Sequence, residues 1–107
     1  MANIEDFKKI ELKVAEIKEV SDHPNADRLY VIKVDLGDKT KQVVAGIKGS
    51  YPDKERLIGK QVVVVDNLEP AMLRGVESQG MILAASDEEG ITIVSPQVNK
   101  KLGSIVK

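Results

Sequence analysis

The most informative stretch of the chain is NLEPAMLRGVESQGMILAA, residues 67–85. It begins where one apolar run, residues 62–65, has ended, and it closes in a second apolar run, residues 81–85. Both runs are typical of buried strands, and the roughly twelve residues between them form a loop longer than most connections. Long loops held by rigid strands often carry function, and Arg74 is a candidate contact in this one. The same composition also fits a plain solvated loop, so the residues alone leave both interpretations open.

The residues outside this loop predict a series of short strands. Residues 4–20 are ambiguous, because their spacing and composition favour a helix, whereas a phase change in the alternation fits a bulged strand. Residues 30–36 alternate apolar and polar side chains, which indicates a half-buried strand. A short helix capped by Asn3 is predicted at the N-terminus. The remaining predicted elements are a returning strand at residues 42–47, a brief helix at 52–57, a buried strand at 62–65 and two later strands at 81–85 and 91–94.

Five short strands, with one brief helix between the third and the fourth, match the order of an OB-fold barrel. We therefore expect residues 1–107 to form one all-β domain, with a short N-terminal helix and a C-terminal extension added to the barrel. The ligand face of such barrels is usually the sheet of strands two and three together with the adjoining loops. In this chain that face would hold Lys33, Lys41 and Gln42, close to the long loop.

The bulk composition narrows the class of protein. Without cysteine there is no disulfide framework, thiolate chemistry or zinc finger. No apolar stretch approaches the roughly 20 residues of a membrane span, and no signal peptide is recognisable, so we expect a cytoplasmic protein without a membrane partner. A net charge of −1 gives no basic bias, so RNA binding would require charges segregated by face. The sequence permits this, because four lysines share one region away from the acidic residues 87–89: Lys33, Lys39, Lys41 and Lys48.

No constellation of residues predicts catalysis, a cofactor or a metal site. His23 is the only histidine, and nothing marks a nucleophile for it to serve. A Walker phosphate loop fails because Lys54 and Gln61 occupy positions that this motif reserves for other residues. The GIKG of residues 46–49 has the form of the KH loop, yet it follows a strand rather than a helix. With only three aromatic residues, the chain favours folded RNA over unpaired bases as a ligand.

Motifs in three places resemble those of a known family. They are HPNADRL at residues 23–29, VDLG at residues 34–37, and, in the long loop, Asn67, Leu68 and Pro70 with RGVESQGM at residues 74–81. The chain is similar to the tRNA-binding domain appended to methionyl-tRNA synthetases, which also occurs as free-standing dimeric tRNA-binding proteins. The resemblance extends from about Phe7 to Val106 and implies a long bent first strand over residues 10–20.

The resemblance implies tRNA contacts, or the scaffolding for them, at eight positions: Asn25, Arg28, Lys41, Gln42, Arg74, Ser78, Gln79 and Met81. The lysine-rich region adds Lys33 and Lys48 as candidates. By their chemistry the cations would meet phosphates, and the serine and glutamines would hydrogen-bond sugar or phosphate. Met81 is expected to pack at the root of the loop. The family often carries basic residues at Glu69, Ala71 and Met72, and a serine at Ala45, so this chain is expected to bind tRNA more weakly or differently.

The resemblance also implies a function. We expect a non-catalytic domain that binds tRNA by shape and assists aminoacylation, as the C-terminal part of a methionyl-tRNA synthetase whose catalytic body acts in cis or in trans. Family members pair through their chain ends, which implies a homodimer interface of apolar residues: Ile4, Phe7, Leu102, Ile105 and Val106. The alternative to a homodimer is that the chain ends fold back on their own barrel. The alternative function is a protein-docking or dimerisation module with little affinity for tRNA.

Overall fold

The computed structural model describes residues 1–107 and consists almost entirely of β-strands. A five-residue helix opens the chain, with Asn3 and Asp6 forming a capping box at its start. None of the helical segments has the length or the apolar character that crossing a membrane requires. The elements in order are α1 Ile4–Lys8, β1 Leu12–Asp22, β2 Tyr30–Asp35, β3 Thr40–Ala45, a 3₁₀ helix Lys54–Leu57, β4 Gln61–Val65, β5 Ala71–Leu73, β6 Val76–Ser78, β7 Met81–Ile82, β8 Ala84–Asp87, β9 Gly90–Ile93 and β10 Ile105–Val106.

The main sheet has the order β3-β2-β1-β4-β7, with every neighbouring pair antiparallel. Strand β10 pairs with the start of β1, while β5–β6 and β8–β9 form two separate hairpins. Because β3 and β7 also lie against each other, the sheet curls into a nearly closed barrel. The all-β prediction, with a barrel and a brief helix between its third and fourth strands, is confirmed.

The long first strand contains a bulge, which lies three residues after the point, between Val14 and Ala15, where its sequence changes phase. Its first half pairs with β4 and its second half pairs with β2. The register with β2 runs from Ile17 opposite Val34 to Glu19 opposite Lys33, so Lys18 is the inserted residue of a bulge. A bulge bends a strand and increases its twist, which lets β1 contribute to both sides of the barrel. The helical interpretation of residues 4–20 therefore holds only for the five residues of α1, and it is wrong for β1, because sheet pairing overrides the local helix propensity.

Two predicted segments differ from the structure. The long loop is not irregular throughout, because residues 71–78 form the β5–β6 hairpin. The predicted strand over residues 81–85 is divided at Leu83 into β7, which pairs with β4, and β8, which pairs with β9. The chain leaves one sheet for another at this point, a change that an unbroken apolar run does not reveal.

The core lies inside the barrel and is built from branched aliphatic side chains. The five residues of β4 are all buried, which agrees with its unbroken apolar run. Tyr30 is the largest fully buried side chain, and its hydroxyl donates to the carbonyl oxygen of Tyr51 at 2.6 Å. The C-terminal segment contacts the start of β4, where the Gln61 side chain donates to the Lys100 carbonyl at 2.7 Å and accepts from the Lys100 amide at 2.9 Å.

We predict that Gly80→Ala destabilises the protein by about 1–3 kcal/mol, because overpacking in a core costs that much. A Cβ on Gly80 would lie 2.8 Å from the Val65 carbonyl oxygen and 3.4 Å from a methyl of Val64. Urea unfolding followed by circular dichroism measures the change. Gly49→Ala is the control, since nothing lies within 4 Å of a Cβ there. Equal effects of the two substitutions would contradict this account.

Candidate nucleic-acid interface

Hydrogen bonds between β3 and the end of β6 close the barrel. The Ser78 hydroxyl is buried, accepts from the Val44 amide at 3.0 Å and donates to the Gly80 carbonyl at 2.9 Å. The Gln79 amide donates to the Gln42 carbonyl at 2.8 Å, and the Gln79 side-chain oxygen accepts from the Gln42 amide at 2.8 Å. The hydroxyl of Ser78 and the side-chain oxygen of Gln79, both predicted to contact RNA, are thus engaged within the protein.

The β5–β6 hairpin is attached to the turn that follows β1. Its tip residue Arg74 has φ +55°, a left-handed conformation that is uncommon outside glycine. The Asn25 side chain donates to the Arg74 carbonyl at 3.3 Å, and the Arg74 guanidinium donates to the Asn25 carbonyl at 3.3 Å. His23 Nδ1 accepts from the Asn25 amide at 2.9 Å, so Nε2 carries the proton and donates to the Leu73 carbonyl at 2.8 Å. The two loops form one unit with Arg74 exposed at its tip.

The predicted β2–β3 face brings Lys33 and Gln42 together. They stand opposite each other in the register, and the Lys33 ammonium donates to the Gln42 side-chain oxygen at 2.8 Å. The Gln42 side-chain nitrogen then donates to the Glu77 carbonyl at 2.8 Å. This chain of bonds runs from the sheet to the hairpin, so it fixes the hairpin beside a half-buried cation.

Lys41 lies in a cluster of ion pairs around Asp66, the residue that follows β4. Asp66 is only 5% exposed. Its Oδ1 lies 2.7 Å from the Lys41 ammonium, and its Oδ2 lies 3.0 Å from the ammonium groups of both Lys13 and Lys39. Burial alone would raise the pKa of the Asp66 carboxyl, but hydrogen bonds from the three lysines outweigh burial and hold that pKa far below its usual range. Lys41, predicted to meet a phosphate, already binds a carboxylate of its own chain.

The three remaining predicted contacts lie outside these networks. Lys48 forms an ion pair with Asp22 at 3.2 Å, and Lys54 pairs with the same carboxylate at 3.2 Å. Arg28 is exposed and makes neither an ion pair nor a side-chain hydrogen bond. Met81 is 48% exposed on β7, so it presents more of its side chain to solvent than packing at the loop root would leave. The structure therefore joins Asn25 to Arg74 and Lys33 to Gln42, but it does not assemble all ten residues into one cluster.

Sequence reasoning missed two residues that organise this region. Asp66 was not recognised, although a carboxylate directly after a buried strand needs cationic or hydrogen-bonding partners. Lys39 and Lys41, two residues apart on one side of a hairpin, were the available signal. For His23 the sequence indicated no catalytic role but did not show its structural one: the residue is 6% exposed, and hydrogen bonds of its ring link two loops. No group of three His, Cys, Asp or Glu side chains lies close enough together to hold a metal ion.

Four of the five apolar residues predicted for a dimer interface surround one groove of about 470 Å³ between α1 and β10: Ile4, Phe7, Ile105 and Val106. The C-terminal end does fold onto its own barrel, because β10 pairs with β1. That pairing still leaves Ile105 73% exposed. Leu102 lies elsewhere, against the turn after β2, where a Cβ on Gly37 would come within 2.9 Å of the Leu102 carbonyl oxygen.

Comparisons with known proteins agree on one family. The family model described as "Putative tRNA binding domain" matches residues 12–104. Methionine–tRNA ligase of Thermococcus kodakarensis is 53% identical over 105 residues, which are 98% of this chain and 14% of that protein. The enzyme of Methanococcus aeolicus is 53% identical over 106 residues, 99% of this chain and 16% of its own length. The chain thus spans about one seventh of the curated relatives that it matches.

Solved structures agree with the sequence comparisons. The crystal structure of a MetRS-related protein from Pyrococcus horikoshii aligns with a TM-score of 0.91 and 30% identity, covering 100% of this chain and 98% of that chain. The CsaA chaperone protein of Picrophilus torridus aligns with a TM-score of 0.90 and 29% identity, covering 100% of both chains. The match over the whole length of both small proteins indicates that the barrel and its two chain ends form one shared unit.

We predict that Asp66→Asn destabilises the protein by about 3–5 kcal/mol at pH 7, because three ammonium groups lose their shared carboxylate. The Asp66 pKa is lower in the folded state than in the unfolded state, so its stabilisation is complete above about pH 5 and is lost as the pH falls below the unfolded value. Urea unfolding between pH 7 and pH 3 therefore shows a steeper acid loss for the parent than for the variant. Asp27→Asn, at an exposed position without an ion pair, is the control. Parallel pH curves for parent and Asp66→Asn would contradict the assignment.

Proposed function

Since the chain belongs to the tRNA-binding domain family, we propose that it binds folded tRNA by shape and assists aminoacylation without chemistry of its own. In this proposal it is the C-terminal domain of a methionyl-tRNA synthetase, or a free-standing partner of one, in the cytoplasm. The support is the identity of about half of its residues with methionine–tRNA ligases over nearly its whole length.

The observation that carries the proposal is the exposed cationic unit made by two joined loops. Arg74 sits at the hairpin tip in a left-handed conformation, and Asn25 is bonded to it from the neighbouring turn. Arg28 follows on the same turn segment and has no partner within the chain. Exposed guanidinium groups that have no acidic partner and are held on a rigid support are suited to phosphate oxygens, which they bind in a forked geometry. We assign direct phosphate contact to Arg74 and Arg28.

The other predicted contacts take a supporting part in this proposal. Ser78 and Gln79 hold the hairpin on the barrel, and Gln42 links the hairpin to Lys33. Lys41 is bound to Asp66, so it adds to the local electrostatic field instead of reaching out. Lys48 shares Asp22 with a second lysine, and it can exchange that exposed carboxylate for a phosphate. Met81 borders the hairpin as an exposed apolar contact for a sugar edge.

The small number of free cations argues for a pair of subunits. About four phosphate contacts per chain would give a weak complex whose affinity falls steeply with salt. Two copies that reach one tRNA would raise the apparent affinity without any new type of contact. The groove between α1 and β10 offers exposed apolar side chains for that pairing, and we propose that Ile4, Phe7, Ile105 and Val106 form its centre. Leu102 does not line this groove, so in this proposal it lies outside the centre of the interface.

We predict that Arg74→Gln and Arg28→Gln each weaken tRNA binding and reduce the slope of log affinity against log salt by about one. Each substitution removes one cation that has no acidic partner in the chain and leaves the fold unchanged. Gel-shift titrations of folded tRNA across a range of salt concentrations measure both quantities. Arg56→Gln is the matched control, because this exposed arginine lies on the 3₁₀ helix and pairs with Asp53 at 3.6 Å.

Competition separates shape recognition from general attraction to polyanions. Folded tRNA should displace the labelled complex at much lower concentration than single-stranded DNA of the same length, because the chain has few aromatic side chains for stacking. Equal competition would reject shape recognition. An unchanged salt slope in both arginine variants, or an equal change in the control, would remove these residues from the interface. Absence of tRNA binding at low salt with pairing retained would favour the docking or dimerisation module.

We predict that Phe7→Ser and Ile105→Ser shift the protein from dimer to monomer in sedimentation velocity at micromolar concentration. Both side chains line the groove between α1 and β10 and are exposed in the single chain, at 43% and 73%. Val98→Ser is the control, at a 64% exposed apolar residue outside that groove. A parent protein that sediments as a monomer throughout would rule the homodimer out.

A further inference from the structure

The tip of the β5–β6 hairpin has a backbone conformation that its own sequence only half favours. Leu73 and Val76 are its last paired residues, so Arg74 and Gly75 form a two-residue turn. Both turn residues have positive φ, +55° for Arg74 and +90° for Gly75, as a type I′ turn requires. Glycine adopts this conformation freely, whereas arginine does so at a cost. Contacts from outside the hairpin therefore help to hold the turn that presents the Arg74 guanidinium.

Those contacts are hydrogen bonds to two consecutive carbonyl groups of the hairpin. The His23 ring donates from Nε2 to the Leu73 carbonyl at 2.8 Å. The Asn25 side chain donates to the Arg74 carbonyl at 3.3 Å, and the Arg74 guanidinium donates to the Asn25 carbonyl at 3.3 Å. His23 is 6% exposed, so water competes little for its bond, whereas the bonds of Asn25 are exposed. His23 is therefore the better protected of the two attachments.

The second nitrogen of the same ring orients Asn25. Nδ1 of His23 accepts from the Asn25 amide at 2.9 Å, a bond that closes the turn around Pro24. A ring nitrogen that accepts a hydrogen bond carries no proton, so the two contacts coexist only in the neutral ring with its proton on Nε2. A second proton, on Nδ1, would set one donor against another and break the bond to the Asn25 amide.

No carboxylate at this junction accepts a hydrogen bond from the ring. Asp22 precedes His23, and its carboxylate lies 3.2 Å from the ammonium groups of both Lys48 and Lys54, which come from the segment between β3 and β4. Asp27 is exposed farther along the turn. The other charged side chains of the turn and the hairpin are two arginines and one glutamate: Arg28, Arg74 and Glu77. A proton taken up by the ring therefore breaks a hydrogen bond without forming a new ion pair.

We propose that His23 is a positioning residue for the phosphate contact of Arg74, and that only its neutral ring holds the hairpin tip in place. This role rests on the proposed binding of tRNA and adds a dependence on pH. Imidazole changes its charge between about pH 5 and pH 8. As the pH falls through that range, the turn loses its bond to the ring, and Arg74 loses the orientation that meets phosphate. An added positive charge alone would strengthen tRNA binding, so the expected weakening has the opposite sign.

Nuclear magnetic resonance of the whole chain tests the contact without any RNA. His23 is the only histidine, so nitrogen-15 spectra contain one imidazole ring. At pH 7.5 we expect a proton on Nε2 and none on Nδ1. Between pH 7.5 and pH 5 the amide signals of Arg74 and Gly75 should move with the same midpoint as the ring signals. The opposite tautomer, or amide signals at the hairpin tip that do not follow the ring, would overturn the proposal.

The variant His23→Asn separates the two contacts of the ring. Asparagine still accepts from the amide two residues on, but its side chain is too short to reach the Leu73 carbonyl. At pH 7.5 the variant should bind tRNA about fivefold more weakly than the parent, which corresponds to the loss of one hydrogen bond. At pH 5.5 this ratio should fall to about twofold or less, because the parent then loses the contact as well. A ratio that stays constant with pH contradicts the requirement for a neutral ring.

Tyr51→Phe is the matched control for a lost hydrogen bond between loops. Its hydroxyl contacts the Thr92 hydroxyl at 3.3 Å and accepts from the Ile93 amide at 3.0 Å, so its loss affects β9 instead of the hairpin. This variant should bind tRNA as the parent does at both pH values. Urea unfolding verifies that both variants are folded at each pH. An equal change in the control would assign the effect of His23→Asn to general destabilisation and overturn the proposal.

A double-substitution cycle shows whether His23 acts through Arg74. In a chain that already carries Arg74→Gln, His23→Asn should weaken tRNA binding by less than about twofold, because the guanidinium that it positions is absent. If Arg74→Gln weakens binding and His23→Asn has its full effect in both backgrounds, the positioning role alone is overturned. If Arg74→Gln leaves binding unchanged, the proposed phosphate contact fails, and the positioning role fails with it.

Discussion

The whole structure depends on how the barrel is closed between β3 and the end of β6. Sheet pairing alone leaves this seam open, because β6 belongs to a hairpin that does not continue the main sheet. Side chains complete it: the buried Ser78 hydroxyl joins two backbone groups, and Gln79 bonds to both backbone groups of Gln42. Gly80 then passes so close to the Val65 carbonyl that no side chain fits. The same seam positions the hairpin whose tip carries Arg74.

Local patterns predicted the strands well, and they failed where partners were distant in sequence. The alternation in residues 30–36 and the apolar run of residues 62–65 correspond to strands β2 and β4. The spacing of apolar side chains indicates whether one face or both faces of a strand are buried. The phase change between Val14 and Ala15 indicated a bulged strand against the local helix propensity, although the bulge itself lies at Lys18. The hairpin of residues 71–78 was not predicted, because its side chains are mostly exposed and carry no periodic signal.

The candidate site illustrates a different limit. Residue types at Ser78 and Gln79 suit ligand contact and barrel closure equally, and only the bonding partners separate these roles. Lys41 carries a charge that suits phosphate, yet a buried aspartate twenty-five positions away binds it. By contrast, the exposed position of Arg74 beside Gly75 agrees with the sequence, in which a forked cationic donor lies next to a glycine in a long loop. The composition of the chain does not show which charged residues pair when they are far apart in sequence.

The near-zero net charge conceals a division of the surface. Arginines at the hairpin tip and the adjoining turn have few internal partners, while the groove between the hairpin, the end of β3 and strands β7 and β8 is lined mainly by aliphatic groups, with Glu69 as its one charged residue. The hairpin is therefore the boundary between two chemically different regions. Its attachment at both ends, through His23 and Asn25 to the turn and through Gln42 to the sheet, keeps that boundary in place.

The pairing of Leu12 with Val106 has a topological consequence. Both ends of the chain leave the barrel side by side, next to the exposed apolar side chains of α1 and β10. Any polypeptide joined upstream of α1 is thus tethered within a few residues of the surface by which two copies would meet. The length and stiffness of such a linker would set how freely a second copy approaches, so the proposed self-association would be mechanically coupled to any covalent attachment at that end.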